Sequence, residues 1–269
     1  MQAKGLEPGS CPDAWNLSHP ARVEEIARAY VEAGSRIVLT NTFGANRITL
    51  ARHGLAEEAA EINRAGVEIS RRAADGRAHV FASLGPTGKL LVSGEVSEKE
   101  VSLAFDEQAR TLSAAGAEAI VVETMSDLAE ARLAIEAAVA TGLPVVACMT
   151  FDSGRDHDRT MMGTTPEEAA RELSLAGADV IGANCGQGAA GYVGICKRLR
   201  ASTDLPVWIK PNAGLPELLD GRLHYSESPQ SFAGHAQALI EAGASFIGGC
   251  CGTTPAFIRE LAGHLGAAQ

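Results

Sequence analysis

Short apolar runs of about four to eight residues recur along the chain, each closed by glycine or polar residues. They are separated by longer stretches in which apolar positions return every three or four residues. The short runs are rich in Val, Ile and Ala and too brief for helices. They predict strands at Arg36 to Asn41, His79 to Leu84, Ala119 to Glu123, Val145 to Phe151, Val180 to Asn184, Val207 to Lys210 and Phe246 to Gly249. The longer stretches predict helices at Pro20 to Ala33, Ala56 to Ala74, Glu98 to Ala115, Asp127 to Ala140, Thr165 to Ala176, Ala189 to Ala201, Pro229 to Ala242 and Pro255 to Leu265. Strand and helix alternate, which is the pattern of βα units around a parallel sheet.

Four of these helices end in Ala-Gly directly before a strand, in VEAGSRIV, SAAGAEAI, SLAGADVI and IEAGASFI. Gly34, Gly116, Gly177 and Gly243 are expected to take the left-handed conformation that stops a helix. Seven strands and eight helices, starting on a helix, predict an α/β fold of the (β/α)8 TIM-barrel type that lacks its first strand. On that reading residues 1–269 form a single barrel domain, N-terminally incomplete, and MQAKG begins partway through a βα connection. The alternative is an open doubly wound sheet, but no Gly-x-Gly-x-x-Gly follows the first strand. GQGAAG, Gly186 to Gly191, follows a late strand and directly succeeds Cys185, which is a poor context for a nucleotide.

Composition narrows the picture further. A chain of 269 residues that is 46% hydrophobic suits one large core, and with only 4% aromatic residues its elements should meet through small side chains. The formal charge of -10, with no long Lys/Arg run, argues against a nucleic-acid partner. No apolar run is long enough to span a membrane, and the first residues lack the apolar core of a signal peptide. Six cysteines are too sparse for a disulfide scaffold, so a soluble, cytoplasmic protein with reduced thiols is expected. Cys148 in PVVACMTF and Cys196 in GYVGICKRLR read as buried packing residues, while Cys11 has no evident role.

In a (β/α) barrel the reactive groups project from the C-terminal ends of the strands. Here those ends read LTNTFGAN, SLGPTG, VVETMSD, MTFDSG, GANCGQG, IKPNAG and GGCCGTTP. Cys185 closes one run, and Cys250 with Cys251 closes another. Three thiolates suit a Zn2+ ion with one coordination position left open, as in catalytic sites. Gly248, Gly249 and Gly252 would let two adjacent cysteines face one ion. The competing reading is three buried thiols that happen to lie near strand ends. A metal there would convert a substrate thiol into its thiolate, which points to thiol alkylation, above all methyl transfer.

Glu123 ends an apolar strand, where it can receive a substrate ammonium or cap the next helix. Asn41, Thr42, Asn46, Asn184 and Asn212 can orient polar substrate groups or serve turns. Asp152 and the DSGRDHD stretch read as a charged loop after the fourth strand, with His157 either a metal ligand or part of a solvated lid. Met161, Met162 and Trp15 line an apolar wall or simply pack.

W-N-L-S-H-P at Trp15 to Pro20, AYVEAGSRIVLTNTFGAN, ETMSD, MTFD, GANC, KPNAGLP and GGCCGTTP together resemble the homocysteine S-methyltransferase family. The likeness is strongest to the homocysteine-binding barrel of cobalamin-dependent methionine synthase and spans essentially the whole chain. It implies that Cys185, Cys250 and Cys251 are zinc ligands. It further implies that Glu123 holds the amino group of homocysteine and that backbone groups around Ser83 to Pro86 seat the amino-acid moiety. The family's Asp-Gly motif at the end of the first barrel strand has no counterpart here, in agreement with the strand count. The resemblance implies homocysteine, or a related thiol or selenol, as acceptor. KPNAGLP points to methylcobalamin on a separate corrinoid protein as donor, with betaine, S-methylmethionine or S-adenosylmethionine as alternatives. A zinc hydrolase and a noncatalytic zinc-binding barrel are the competing functions.

Overall fold

The computed structural model describes residues 1–219 and 222–266. Its strands are β1 Ile37–Leu39, β2 His79–Leu84, β3 Ala119–Met125, β4 Val145–Met149, β5 Val180–Gly188, β6 Val207–Asn212, β7 Pro216–Leu219, β8 Arg222–Tyr225 and β9 Ala244–Ile247. Seven of them form one sheet in the order β1-β2-β3-β4-β5-β6-β9, with helices in the connections. Its registered pairings, β1 with β2, β2 with β3, β4 with β5, β5 with β6 and β6 with β9, are parallel. The order is linear, with β1 and β9 as edges, so this is the α/β sheet of a TIM-type barrel with seven strands in place of a closed ring of eight. Every residue of β4 is buried, as is all of β3 except Thr124. That explains why these strands read as unbroken apolar runs.

Contacts divide the chain into two compact units. The first comprises Met1–Glu32, Arg36–Val122 and Ala129–Val145. Its core includes Val31, Val38, Ala73 and Val80 in one cluster and Ala45, Leu50 and Ile62 in another. Ser97 and Glu100 form a reciprocal capping box that starts the helix Glu98–Ala114.

Asp13 of this unit is buried, accepting a hydrogen bond at 3.0 Å from the Gly44 N–H, with the Cys11 thiol 3.9 Å away. Burial pushes its carboxyl up to about 6, and the hydrogen bond from Gly44 offsets only part of that rise. A pKa raised on folding gives stability that is fully present below the unfolded value, 3.8, and is lost as pH climbs through about 6. Raising the pH from 5 to 8 is therefore expected to destabilise the wild type by about 1 kcal/mol relative to Asp13→Asn. Paired thermal melts at the two pH values check this. An unchanged difference in Tm would mean that Asp13 does not titrate in that window.

The second unit comprises Ala33–Ser35, Glu123–Leu128 and the described residues from Val146 onward. Phe232 and Phe257 meet edge to face at 5.5 Å within its core, beside Ala213 and Leu261. Gly182 lets β5 approach β6 closely: a methyl there would sit 2.0 Å from the Trp208 carbonyl oxygen. Since that obstacle is backbone, Gly182→Ala is expected to cost about 3 kcal/mol, seen as a fall in Tm of about 10 °C.

The structure redraws several predicted elements. The helix predicted at Ala56 to Ala74 opens as a short 3-10 turn, Ala56–Glu58, before the α-helix Ala59–Ala74. The one predicted at Pro229 to Ala242 is two helices, Pro229–Gly234 and Ala236–Glu241, broken at His235. Short helices at Trp15–Ser18 and Arg47–Ala51 and the antiparallel β7–β8 hairpin were not predicted. Gly34, Gly116, Gly177 and Gly243 all have φ between 94° and 104°, as the Ala-Gly endings required. Among the described residues no helix is long and apolar enough to cross a membrane.

Candidate metal centre

The second unit brings Cys185, Cys250 and Cys251 together, with all three sulfurs within 4.8 Å of one another. Cys185 lies inside β5 rather than after it, because β5 runs on to Gly188. The register of β5 with β6 is regular up to Asn184↔Lys210 and resumes at Gly188↔Asn212. Three residues of β5, Cys185 to Gln187, therefore stand opposite Pro211 alone, which has no N–H for the ladder. Within this bulge Cys185 takes a left-handed conformation, φ 65°. The Tyr192 hydroxyl holds it there by donating to its carbonyl at 2.8 Å.

Cys250 and Cys251 follow the end of β9, and the Pro211–Asn212–Ala213 segment clamps them. The Cys250 N–H donates to the Pro211 carbonyl at 2.7 Å, the Cys251 N–H to Asn212 Oδ1 at 3.1 Å, and the Ala213 N–H to the Cys251 carbonyl at 2.9 Å. Thr253 Oγ1 donates to the Cys250 carbonyl at 2.7 Å. Gly252, φ 79°, completes the turn, and the Tyr225 ring packs where a side chain on Gly252 would stand.

Hydrogen bonds from the Cys250 and Cys251 thiols, in that order of weight, hold Cys185 down at about 3. Donating to Cys185 and then to Cys250 keeps Cys251 far above the ordinary thiol range. The Tyr225 phenol, which hydrogen-bonds Cys251, is pushed up to about 12 by burial and then by the neighbouring sulfur charge. The sulfurs of Cys185 and Cys251 are 3.8 Å apart. Two thiolates on one tetrahedral ion, each at about 2.3 Å, would be about 3.8 Å apart. The donor set and its spacing thus fit a thiolate-bound metal ion.

Glu123 and Lys210 form a buried ion pair beside the cluster, Lys210 Nζ to Glu123 Oε2 at 2.5 Å, with both side chains at most 10% exposed. Burial alone would push the Lys210 ammonium down. The charges of Glu123 and then Cys250 instead hold it above the ordinary lysine value. Asn184 ties this pair to the cysteines: its Nδ2 lies 3.3 Å from Glu123 Oε2, 2.7 Å from Thr124 Oγ1 and 3.7 Å from Cys250 Sγ, while its Oδ1 accepts from the Thr124 N–H at 2.8 Å. The Asn212 side chain also hydrogen-bonds Cys185.

The other expected residues have partners of their own. Asn41 and Ser83 belong to the first unit, where Asn41 Nδ2 donates to the Pro12 carbonyl and to Asn16 Oδ1, both at 2.9 Å. Ser83 is buried, its N–H bonded to Thr40 Oγ1 and its carbonyl to the Thr42 hydroxyl. Asn46 caps the helix Arg47–Ala51 through the Thr49 N–H. His157 is exposed and bonds the Asp152 carbonyl, and it lies outside the metal-ligand cluster. Met161 and Met162 are exposed, whereas Trp15 is buried. Cys148 is fully buried, which raises its thiol strongly, and Cys196 is buried too. Lys210, Tyr192 and Tyr225 were not anticipated. Of these, Lys210 alone carries a sequence signal, as a charge that interrupts the apolar run VWIK.

The fold and the site define an α/β barrel-type protein with a cysteine-rich centre able to coordinate a metal ion. The chain belongs to the homocysteine S-methyltransferase family, whose model matches residues 2–265. It is 35% identical over 272 residues to methionine synthase of Mycobacterium tuberculosis and 34% identical to that of Mycobacterium leprae. Each match covers 96% of this chain and 22% of the relative, so the chain spans about a fifth of the length of these proteins. Among solved structures it shares its fold with the metallated form of the homocysteine methyltransferase MmuM from Escherichia coli. That match has a TM-score of 0.80 and 23% identity, covering 97% of this chain and 91% of the other.

Proposed function

We propose that this chain is a zinc-dependent S-methyltransferase that methylates the thiol of homocysteine. The observation that carries the proposal is the convergence of Cys185, Cys250 and Cys251, with sulfurs within 4.8 Å, in a member of this family. Cys185, Cys250 and Cys251 would hold zinc, which when bound would lower the pKa of a substrate thiol while leaving its sulfur nucleophilic. Glu123, buried against Lys210, presents its carboxyl group to the substrate ammonium. Asn184, bonded to both Glu123 and Cys250, fixes the position of that carboxylate relative to the sulfurs. Asn212 holds the Cys251 backbone and the Cys185 sulfur in register. The methyl donor in this reading is a methyl-corrinoid carried by a separate protein. The likeness to methionine synthases supports it over a small donor such as betaine, S-methylmethionine or S-adenosylmethionine.

The test is metal analysis followed by methylation assays on the zinc-loaded protein, with methylcobalamin and betaine supplied separately. About one zinc per chain and methionine formation with methylcobalamin alone are expected. Betaine-only turnover would replace the donor and keep the acceptor. Homocysteine methylation that persists without zinc would overturn the proposal.

A further inference from the structure

Cys251 is the exposed member of the cluster, while Cys185 and Cys250 are half-buried. That exposure is a hazard in a centre built for alkylation, because each thiolate that holds the ion is itself a nucleophile toward a methyl donor. Attack by Cys251 would form a bond from its own sulfur to the methyl carbon as the bond from that carbon to the donor breaks, the electron pair leaving with the donor. A neutral thioether would then stand where an anionic ligand is needed.

Each sulfur of the cluster has a side-chain donor from outside the cluster. Asn212 donates to Cys185, Asn184 Nδ2 donates to Cys250 Sγ at 3.7 Å, and the Tyr225 hydroxyl donates to Cys251. Tyr225 comes from β8 of the hairpin, which is fastened at Ala213. The Ala213 N–H donates to the Cys251 carbonyl at 2.9 Å, and the Ala213 carbonyl accepts from the Glu227 N–H at 3.1 Å. The hairpin thus leaves and returns beside the turn that carries Cys251. Its tyrosine ring lies against Gly252, where an added methyl would stand 2.3 Å from Tyr225 Cγ.

We infer that Tyr225 directs methylation away from Cys251, which makes it a specificity-determining residue for the sulfur that reacts. A hydrogen bond to a charged sulfur stabilises the thiolate and weakens as that charge moves into the new bond, so it slows alkylation at the sulfur that accepts it. The ring adds cover on the Gly252 side. The inference rests on the three sulfurs holding a metal ion as thiolates, and it concerns the choice of sulfur, not of substrate or donor.

The experiment treats the zinc-loaded protein with iodomethane in the absence of homocysteine and follows the initial rate of methylation at each cysteine by peptide mass spectrometry. The sulfur–carbon bond forms as the carbon–iodine bond breaks, and iodide leaves with the electron pair. In the wild type, Cys251 is expected to react no faster than Cys185 or Cys250 despite its exposure. Tyr225→Phe keeps the ring against Gly252 and removes only the hydroxyl. It should speed methylation of Cys251 by about 10-fold and leave the rates at Cys185 and Cys250 unchanged.

A Cys251 rate that Tyr225→Phe leaves unchanged would overturn the inference. So would a variant in which all three cysteines react faster together, since Tyr225 would then be a structural support only. Should Tyr225→Phe fail to fold, the wild type decides by itself: Cys251 reacting faster than both neighbouring cysteines overturns the inference as well. Wild type that holds no zinc refutes the metal reading and this inference with it, whereas any of the other results on zinc-bound protein refutes this inference alone.

Discussion

Cys251→Ala protein is expected to bind zinc at least about 100-fold more weakly than wild type and to show no measurable homocysteine methylation, while remaining folded. Loss of a group that merely supports a ligand typically lowers metal affinity 10- to 100-fold, and loss of one of three thiolates should exceed that. The fold should survive because Cys251 is held by its backbone: its N–H bonds Asn212 Oδ1 and its carbonyl accepts from Ala213, and alanine keeps both bonds. Its side chain lies at an exposed position, so little packing is lost. Competition with a chromophoric chelator measures the affinity, and a Tm close to that of wild type, both measured without metal, excludes unfolding. Undiminished zinc binding would show that the three-sulfur cluster is not the metal site.

Glu123→Gln is expected to destabilise the protein by about 3 to 5 kcal/mol, a drop in Tm of roughly 6 to 20 °C. The substitution preserves shape and removes charge, which leaves the Lys210 ammonium buried without its main counter-charge. The double variant Glu123→Gln, Lys210→Met should recover most of that loss, since a neutral pair of similar volume has no unpaired charge to bury. Thermal melts of the two single variants and the double variant form a double-mutant cycle. Strict additivity would mean that Glu123 and Lys210 do not act as a pair in solution.

The fold was legible where one physical effect dominated. β3 and β4 are buried on both faces, so Ala119 to Val122 and Val145 to Met149 had to be apolar throughout. The Ala-Gly endings were legible because left-handed backbone strongly favours glycine. What escaped was decided by tertiary context. Trp15–Ser18 and Arg47–Ala51 are too short to show a helical period. The β7–β8 hairpin carries a local turn signal in the Asp-Gly of LLDGRL, but its four-residue arms are too short to show a strand period. Residues 220 and 221 themselves lie outside the described residues.

The candidate site was legible to a similar degree. Three cysteines in glycine-rich strand endings announced themselves, because thiols in such places have few structural uses. The β5 bulge at Cys185 did not, since it arises from Pro211 on a different strand. Nor did the Glu123–Lys210 pair, which joins residues 87 apart in sequence. Asn41 and Ser83 looked alike to Asn184 and Asn212 on composition. Packing gives Asn184 and Asn212 bonds to the cysteines, and gives Asn41 and the Ser83 backbone bonds to neighbouring loop and strand groups.

The left-handed backbone of Cys185 sets stability and chemistry against each other. A side chain at φ 65° carries a steric penalty of about 1 to 2 kcal/mol that glycine avoids, and asparagine tolerates the same region better than most residues. Cys185→Gly should relieve that strain in the metal-free protein while giving up the hydrogen bonds that Cys250, Cys251 and Asn212 make to the sulfur, so its metal-free Tm is expected to stay close to that of metal-free wild type. On the proposed function, the left-handed backbone is a cost carried to keep this sulfur at the metal centre.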